Sequence, residues 1–140
     1  MRAAAAVALA AGLLALAACG RSDFSAQVSF EEVEAAIRDA GLQTCAVRET
    51  GDGPPGAVDE RRYDIARECA DEDTRAVLVA TAYESEEDRD AAAQRFEVQA
   101  RPPAPGVVWT HGPFTLRVTA DRDPEVVDAL AEALDERGAE

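Results

Sequence analysis

Val107-Val108-Trp109-Thr110-His111-Gly112-Pro113-Phe114-Thr115-Leu116-Arg117-Val118-Thr119 is the stretch whose reading decides the fold. Two runs rich in β-branched and aromatic residues flank Gly112-Pro113, which is the composition of two strands meeting at a tight turn. Glycine supplies a positive φ at the first turn position, and proline accepts only a negative φ at the second, so the turn reads as type II′. A two-residue turn fixes the register, placing Val107 opposite Val118, Trp109 opposite Leu116 and His111 opposite Phe114. The core face of the hairpin is then Val/Trp/His on one strand and Val/Leu/Phe on the other, and it needs helices or further strands to cover it.

Working outward, Ala76–Tyr83 (AVLVATAY) is apolar almost throughout and reads as a strand central to the sheet. Ser85 caps a helix running to about Gln99, with Glu86, Glu87 and Asp88 in its first turn, where negative charge favours the helix dipole. Its apolar face is thin (Ala92, Ala93, Phe96, Ala100), which implies close approach to a sheet. Arg101–Gly106, with three prolines, is an extended connection. Beyond the hairpin, Asp123-Pro124 is an N-cap followed by proline at the first helical position. Val126, Val127, Leu130, Ala133 and Leu134 line the helix that follows, which ends near Gly138.

Towards the N-terminus, Ser29 and Glu32 form a capping-box pattern, with Val28 and Val33 as its hydrophobic staple. Phe30, Val33, Ile37 and Ala40 make one apolar helical face, and Gly41 is the natural stop. Gln43–Glu49 reads as a strand with Cys45 and Val47 on one face, and Thr50–Ala57 as a loop broken by Gly and Pro. Arg61–Cys69 fits a strand through Tyr63, Ile65 and Cys69, and a helix through Val58, Ile65 and Cys69. The strand is preferred because the polar residues 70–74 look like a turn into Ala76–Tyr83. The order α-β-β-β-α-β-β-α describes one α+β domain over residues 29–138, an antiparallel sheet with helices packed on one face. A ferredoxin-like fold, or a permuted variant of it, is the expected topology.

Ahead of this domain, Ala3–Ala18 contains only Ala, Val, Leu and Gly after Met1-Arg2. As a helix it spans roughly 24 Å, short for a hydrocarbon core of about 30 Å, so a cleaved export signal is favoured over a permanent span. Leu16-Ala17-Ala18-Cys19 resembles the lipobox of bacterial lipoproteins, with an apolar position, two small positions and the invariant cysteine. The resemblance implies a signal peptide over 1–18, diacylglycerol on the Cys19 thiol, often with a further acyl chain such as palmitate on its amine, and a tether over 19–28. Two chains hold a protein at a membrane stably, where one does so only marginally. Gly20 rather than aspartate follows the cysteine, which in a Gram-negative envelope does not favour retention at the inner membrane. The chain has no lysine and fourteen arginines, a bias of high-GC genomes that leans towards actinobacteria, whose small lipoproteins it resembles in architecture.

About 120 residues remain after such cleavage, enough for one domain. The whole chain carries 14 basic and 28 acidic residues, a net charge of −14, and loss of Arg2 makes the mature part more negative still. That balance repels nucleic acid and anionic headgroups. With Cys19 acylated, Cys45 and Cys69 are left, and in an oxidising compartment they are most simply a disulfide. Closing a loop of about 25 residues is worth roughly 3.5 kcal/mol in the chain-entropy description. A metal site using Cys45, Cys69 and His111 competes poorly, because the chain has a single histidine and no close ligand pair.

The remaining chemistry is thin. His111 would need an orienting acid and a nucleophile to act as a base, and no nucleophile motif is present; its place beside the turn suits a half-buried sheet-end residue. Asp71-Glu72-Asp73, Glu86-Glu87-Asp88 and Asp121/Asp123 read as a turn, a helix start and a cap rather than calcium loops. Tyr63, Tyr83 and Trp109 suit the core better than a ligand groove, since only seven residues are aromatic. Arg48, Arg61, Arg62 and Arg67 form a small basic group whose members are expected to cluster in part on the outer sheet face, where they would be solvated or receive an acidic group. The expected function is a membrane-anchored extracytoplasmic lipoprotein of the cell envelope, its domain binding an envelope protein or small ligand without catalysis and without a cofactor. A small envelope hydrolase using His111, and a structural spacer, are the other two readings.

Overall fold

The computed structural model describes residues 29–51, 53–71, 75–99, 107–119 and 124–138. The element order is α1 (Phe30–Asp39), β1 (Gln43–Glu49), β2 (Ala57–Ala66), β3 (Ala76–Tyr83), α2 (Glu86–Gln99), β4 (Val107–His111), β5 (Phe114–Thr119) and α3 (Pro124–Gly138). The five strands form one sheet in the order β1-β2-β3-β5-β4, every neighbouring pair antiparallel. This is the α+β fold and element order that the sequence implies. The hairpin register is also as read: Val107 opposite Val118, Trp109 opposite Leu116, His111 opposite Phe114. Gly112 sits at φ 54°, and with proline next the turn is type II′. The segment with two readings resolves as strand as far as Ala66, leaving Cys69 in the turn beyond it.

One face of the sheet carries the main core. Tyr63, Ile65, Leu78, Ala80, Phe114, Leu116 and Val118 point into it and are buried. Val33, Ala36 and Ile37 of α1 close over them, together with Val126, Val127, Leu130, Ala133 and Leu134 of α3. Phe30 meets Phe114 edge-on with ring centroids 4.9 Å apart, a favoured aromatic geometry. Arg137 bonds to Asp39, tying α3 to the end of α1. That end is a complete Schellman stop: Leu42 N–H donates to the Ile37 carbonyl at 3.0 Å and Gly41 N–H to the Arg38 carbonyl at 2.9 Å, with Gly41 at φ 72°.

The helices do not all take one face. α1 and α3 share the core face, while α2 lies across the other, where Ala92 and Phe96 pack with Tyr83, Val108 and Ala57. β3 and β4 run parallel with β5 between them, so α2 is the crossover of a split β-α-β unit like that of ferredoxin-like folds. Its placement opposite α3 departs from the one-sided arrangement expected. The physical reason is that the second face also offers apolar contact, through Tyr83 and Val108, and α2 needs little of it because its buried residues are mostly alanine.

The two helix starts differ. Asp88 N–H donates to Ser85 Oγ at 3.1 Å and Ser85 Oγ donates to Asp88 Oδ2 at 2.8 Å, so Ser85 caps α2 as expected. Ser29 precedes α1 in extended backbone, yet its side chain makes no capping bond. The expected capping box does not form, because the Glu32 N–H is taken by the Ser29 carbonyl at 3.0 Å. Cys19, the tether, Val28 of the staple, Ala100, Asp123 as N-cap, Asp121, Glu72 and Asp73 lie outside the described residues.

Candidate functional site

Three places bring chemistry-bearing side chains together: the end of β1, the second sheet face beneath α2, and the turn end of β4. At the first, Cys45 and Cys69 stand at disulfide distance, their Cα atoms 5.4 Å apart. Cys45 occupies an irregularity of β1 where the register shifts between Thr44 and Ala46, a bulge that turns its side chain out of the ladder. Cys69 N–H donates to Gln43 Oε1 at 3.3 Å and its carbonyl accepts from Arg75 Nη2 at 2.9 Å. The pair clips the edge strand to the turn that follows β2.

The second face is ordered in rows by the ladder. Glu60 lies opposite Thr81, and Thr81 opposite Thr115; in the next row Arg48 lies opposite Arg62, Arg62 opposite Val79, and Val79 opposite Arg117. Glu60 gathers three donors: Thr81 Oγ1 at 2.7 Å, Thr50 Oγ1 at 2.9 Å and Arg117 Nη2 at 3.4 Å. Its side chain is 12% exposed, so a carboxylate is held near the interior by charge-assisted bonds, which are stronger than neutral ones. Arg117 stacks its guanidinium 3.9 Å over the Phe96 ring of α2, a cation–π contact. Burial pushes the Tyr83 hydroxyl above its ordinary pKa, while neighbouring Thr115 and Arg117 oppose the rise. Arg89 Nη1 donates to the Gly112 carbonyl at 2.6 Å, joining the start of α2 to the β4–β5 turn. This seam fastens α2 to the sheet, and within it the Glu60 carboxylate faces the Arg117 guanidinium.

Beyond α2 the same face is open. Arg48 and Arg62 are direct cross-strand neighbours, as the sequence suggested for part of the basic group, but each approaches Asp64, at 3.7 and 3.6 Å. Arg61 is on the other side, stacked 4.2 Å over Phe30 and near Glu34 and Glu49 at 3.8 and 3.6 Å. Arg67 reaches Glu125 at 2.6 Å. The four arginines are therefore distributed among carboxylates on both faces. They do not make one anion-receiving patch, because strand alternation sends Arg61 and Arg62 to opposite faces. A shallow hollow of about 230 Å³ lies at the open end, lined by Asp64, Arg75, Ala76, Val77 and Thr119.

His111 closes the end of β4 on the core face, opposite Phe114. Burial holds its pKa below the ordinary 6.5, with Glu32 opposing and Arg137 reinforcing that drop. Among the described residues, no carboxylate hydrogen-bonds to it and no group of His, Cys, Asp and Glu is arranged to hold a metal ion. Tyr63 and Tyr83 are buried, and Trp109 packs against the core. Tyr63 donates to Glu34 Oε1 at 3.4 Å, and burial, aided by the Glu34 charge, pushes its pKa up to about 12. Asp88 and Glu86, in the acidic start of α2, are engaged by Ser85 and Arg89. The sequence reading missed the Glu60–Thr81–Arg117 seam. Its members come from three strands, and only the pairing of β2, β3 and β5 brings them together. Among the described residues, no helix is long and apolar enough to cross a membrane. No protein-family model, no curated protein and no solved structure matches this chain.

Proposed function

We propose that this protein is an extracytoplasmic lipoprotein, held to a membrane by acyl chains on Cys19, whose domain works by binding a partner in the cell envelope rather than by catalysis. The observation that carries the reading is Leu16-Ala17-Ala18-Cys19 at the end of an alanine- and leucine-rich run. The Cys45–Cys69 pair at disulfide distance supports it, because such pairs persist in oxidising compartments. The seating of His111 opposite Phe114 at the end of a strand supports a packing role for the one histidine.

The test is metabolic labelling with a fatty-acid probe, followed by cell fractionation. The native chain should carry label and sediment with membranes, and Cys19→Ala should lose both properties. A native chain recovered unlabelled from the cytosol, with its leader attached, would sink the proposal. Hydrolytic turnover of envelope ester or amide substrates that is lost in His111→Ala, in a variant that still folds, would replace binding with catalysis.

A further inference from the structure

The two edges of the sheet are built differently. β1 has a register shift at Cys45, and its sequence includes Arg48 and Glu49; bulges and charges are the usual devices that keep an edge from pairing with another chain. β4, Val107–His111, has neither, although charged residues make up 30% of the chain. Both faces of β4 are covered, Trp109 packing on the α1–α3 core and Val108 on the α2 cluster. Its backbone edge is not: among the described residues only β5 pairs with it, Val107 is 44% exposed and Thr110 is exposed. In a hairpin with a two-residue turn, His111 and Trp109 exchange hydrogen bonds with β5, so Val108 and Thr110 direct their N–H and C=O groups outward.

From this geometry we infer that β4 pairs antiparallel with the β4 of a second copy, about a two-fold axis through Trp109. Val108 then faces Thr110 of the other copy and exchanges two hydrogen bonds with it, and the symmetric pair exchanges two more. The two sheets become one continuous sheet. Charge is what selects a second copy as the occupant. On this axis Trp109 meets its own copy, and residues 108 and 110 each lie diagonal to theirs, so a charged residue at those positions would repel itself. The outward positions of β4 are valine and threonine, which lets two copies meet although each carries a net charge of −14. The axis also brings together the two copies of Trp109, the chain's single tryptophan, as a close cross-strand pair on the core face. This inference does not depend on the lipid anchor.

The test uses the full chain in density-matched detergent. Sedimentation equilibrium should give a protein mass of twice 14.8 kDa. Thr110→Pro removes an outward N–H and no bond within the monomer, as edge prolines do, so helix and sheet content should be unchanged. Loss of two of the four bonds should weaken the dimer about 30-fold. Association through the apolar leader would be common to both proteins and would not protect the Val108 and Thr110 amides, so amide exchange identifies which contact is read. Hydrogen exchange needs no variant: the Val108 and Thr110 amides should be protected in concentrated protein and exchange rapidly on dilution, in step with a change in tryptophan fluorescence. A native chain that is monomeric at all concentrations overturns the inference. So does a dimer that Thr110→Pro leaves intact, or a dimer in which those two amides exchange rapidly.

Discussion

Glu60 is the residue whose removal most directly tests the account of the second sheet face. Its carboxylate, 12% exposed, accepts from Thr81 at 2.7 Å, Thr50 at 2.9 Å and Arg117 at 3.4 Å. Truncation by Glu60→Ala leaves the fully buried Thr81 hydroxyl without that partner and removes the carboxylate from Arg117, which keeps its stack on Phe96. Hydrogen bonds to charged groups contribute about 1.5–3 kcal/mol each. Because the Arg117 side chain is 30% exposed, solvent screens its share, and the expected cost is about 2–3 kcal/mol. Glu60→Gln keeps the shape and the acceptor oxygen, and should cost about 1 kcal/mol. Asp64→Ala is the control on the same face, since its arginine partners stand at 3.7 and 3.6 Å; loose, partly exposed pairs of that kind are worth less than about 1 kcal/mol. The assay is urea unfolding followed by circular dichroism, against a total stability of about 5–15 kcal/mol. A Glu60→Ala cost no larger than that of Asp64→Ala would show that the buried seam does not hold α2, and the reasoning would fail.

Three further outcomes follow from the same structure. Alkylation without reductant should leave Cys45 and Cys69 unmodified, and Cys69→Ser should lose up to about 3.5 kcal/mol by the loop-closure relation, with two free thiols as the contrary result. Tyr63 ionises near 10 in the unfolded chain and near 12 in the folded one; the unfolded state sheds its proton first, so stability should fall as pH rises from about 10 to 12. Tyr63→Phe should flatten that part of the curve, and an unchanged alkaline slope would count against the burial of the phenol. Gly41→Ala should cost about 1–2 kcal/mol, because an L side chain at φ 72° is strained even though the space is open; a neutral result in thermal melts would place the α1 stop elsewhere.

The outcomes at individual elements show which physical signals a single chain carries. Gly112-Pro113 specified its own turn and through it the whole β4–β5 register, because steric limits on those two residues leave one turn type. Val126, Val127, Leu130, Ala133 and Leu134 marked the buried stripe of α3 by spacing alone. Ser29 misled, since a capping pattern states which hydroxyl is available and not which acceptor the Glu32 N–H takes.

Local chemistry in the sequence thus determined most elements and their order, the hairpin register, the α1 stop and the pairing candidates Cys45 and Cys69. Arg61–Cys69 fitted both strand and helix until pairing with β1 and β3 fixed Ala57–Ala66 as a strand. The tertiary structure alone decided that α2 crosses to the face opposite α1 and α3, that Arg61 and Arg62 part company, and that Glu60, Thr81 and Arg117 meet. Periodicity and turn sterics act between near neighbours and leave a trace in the order of residues. The choice of sheet face and the contacts between strands are settled only when distant segments compete for the same apolar surface.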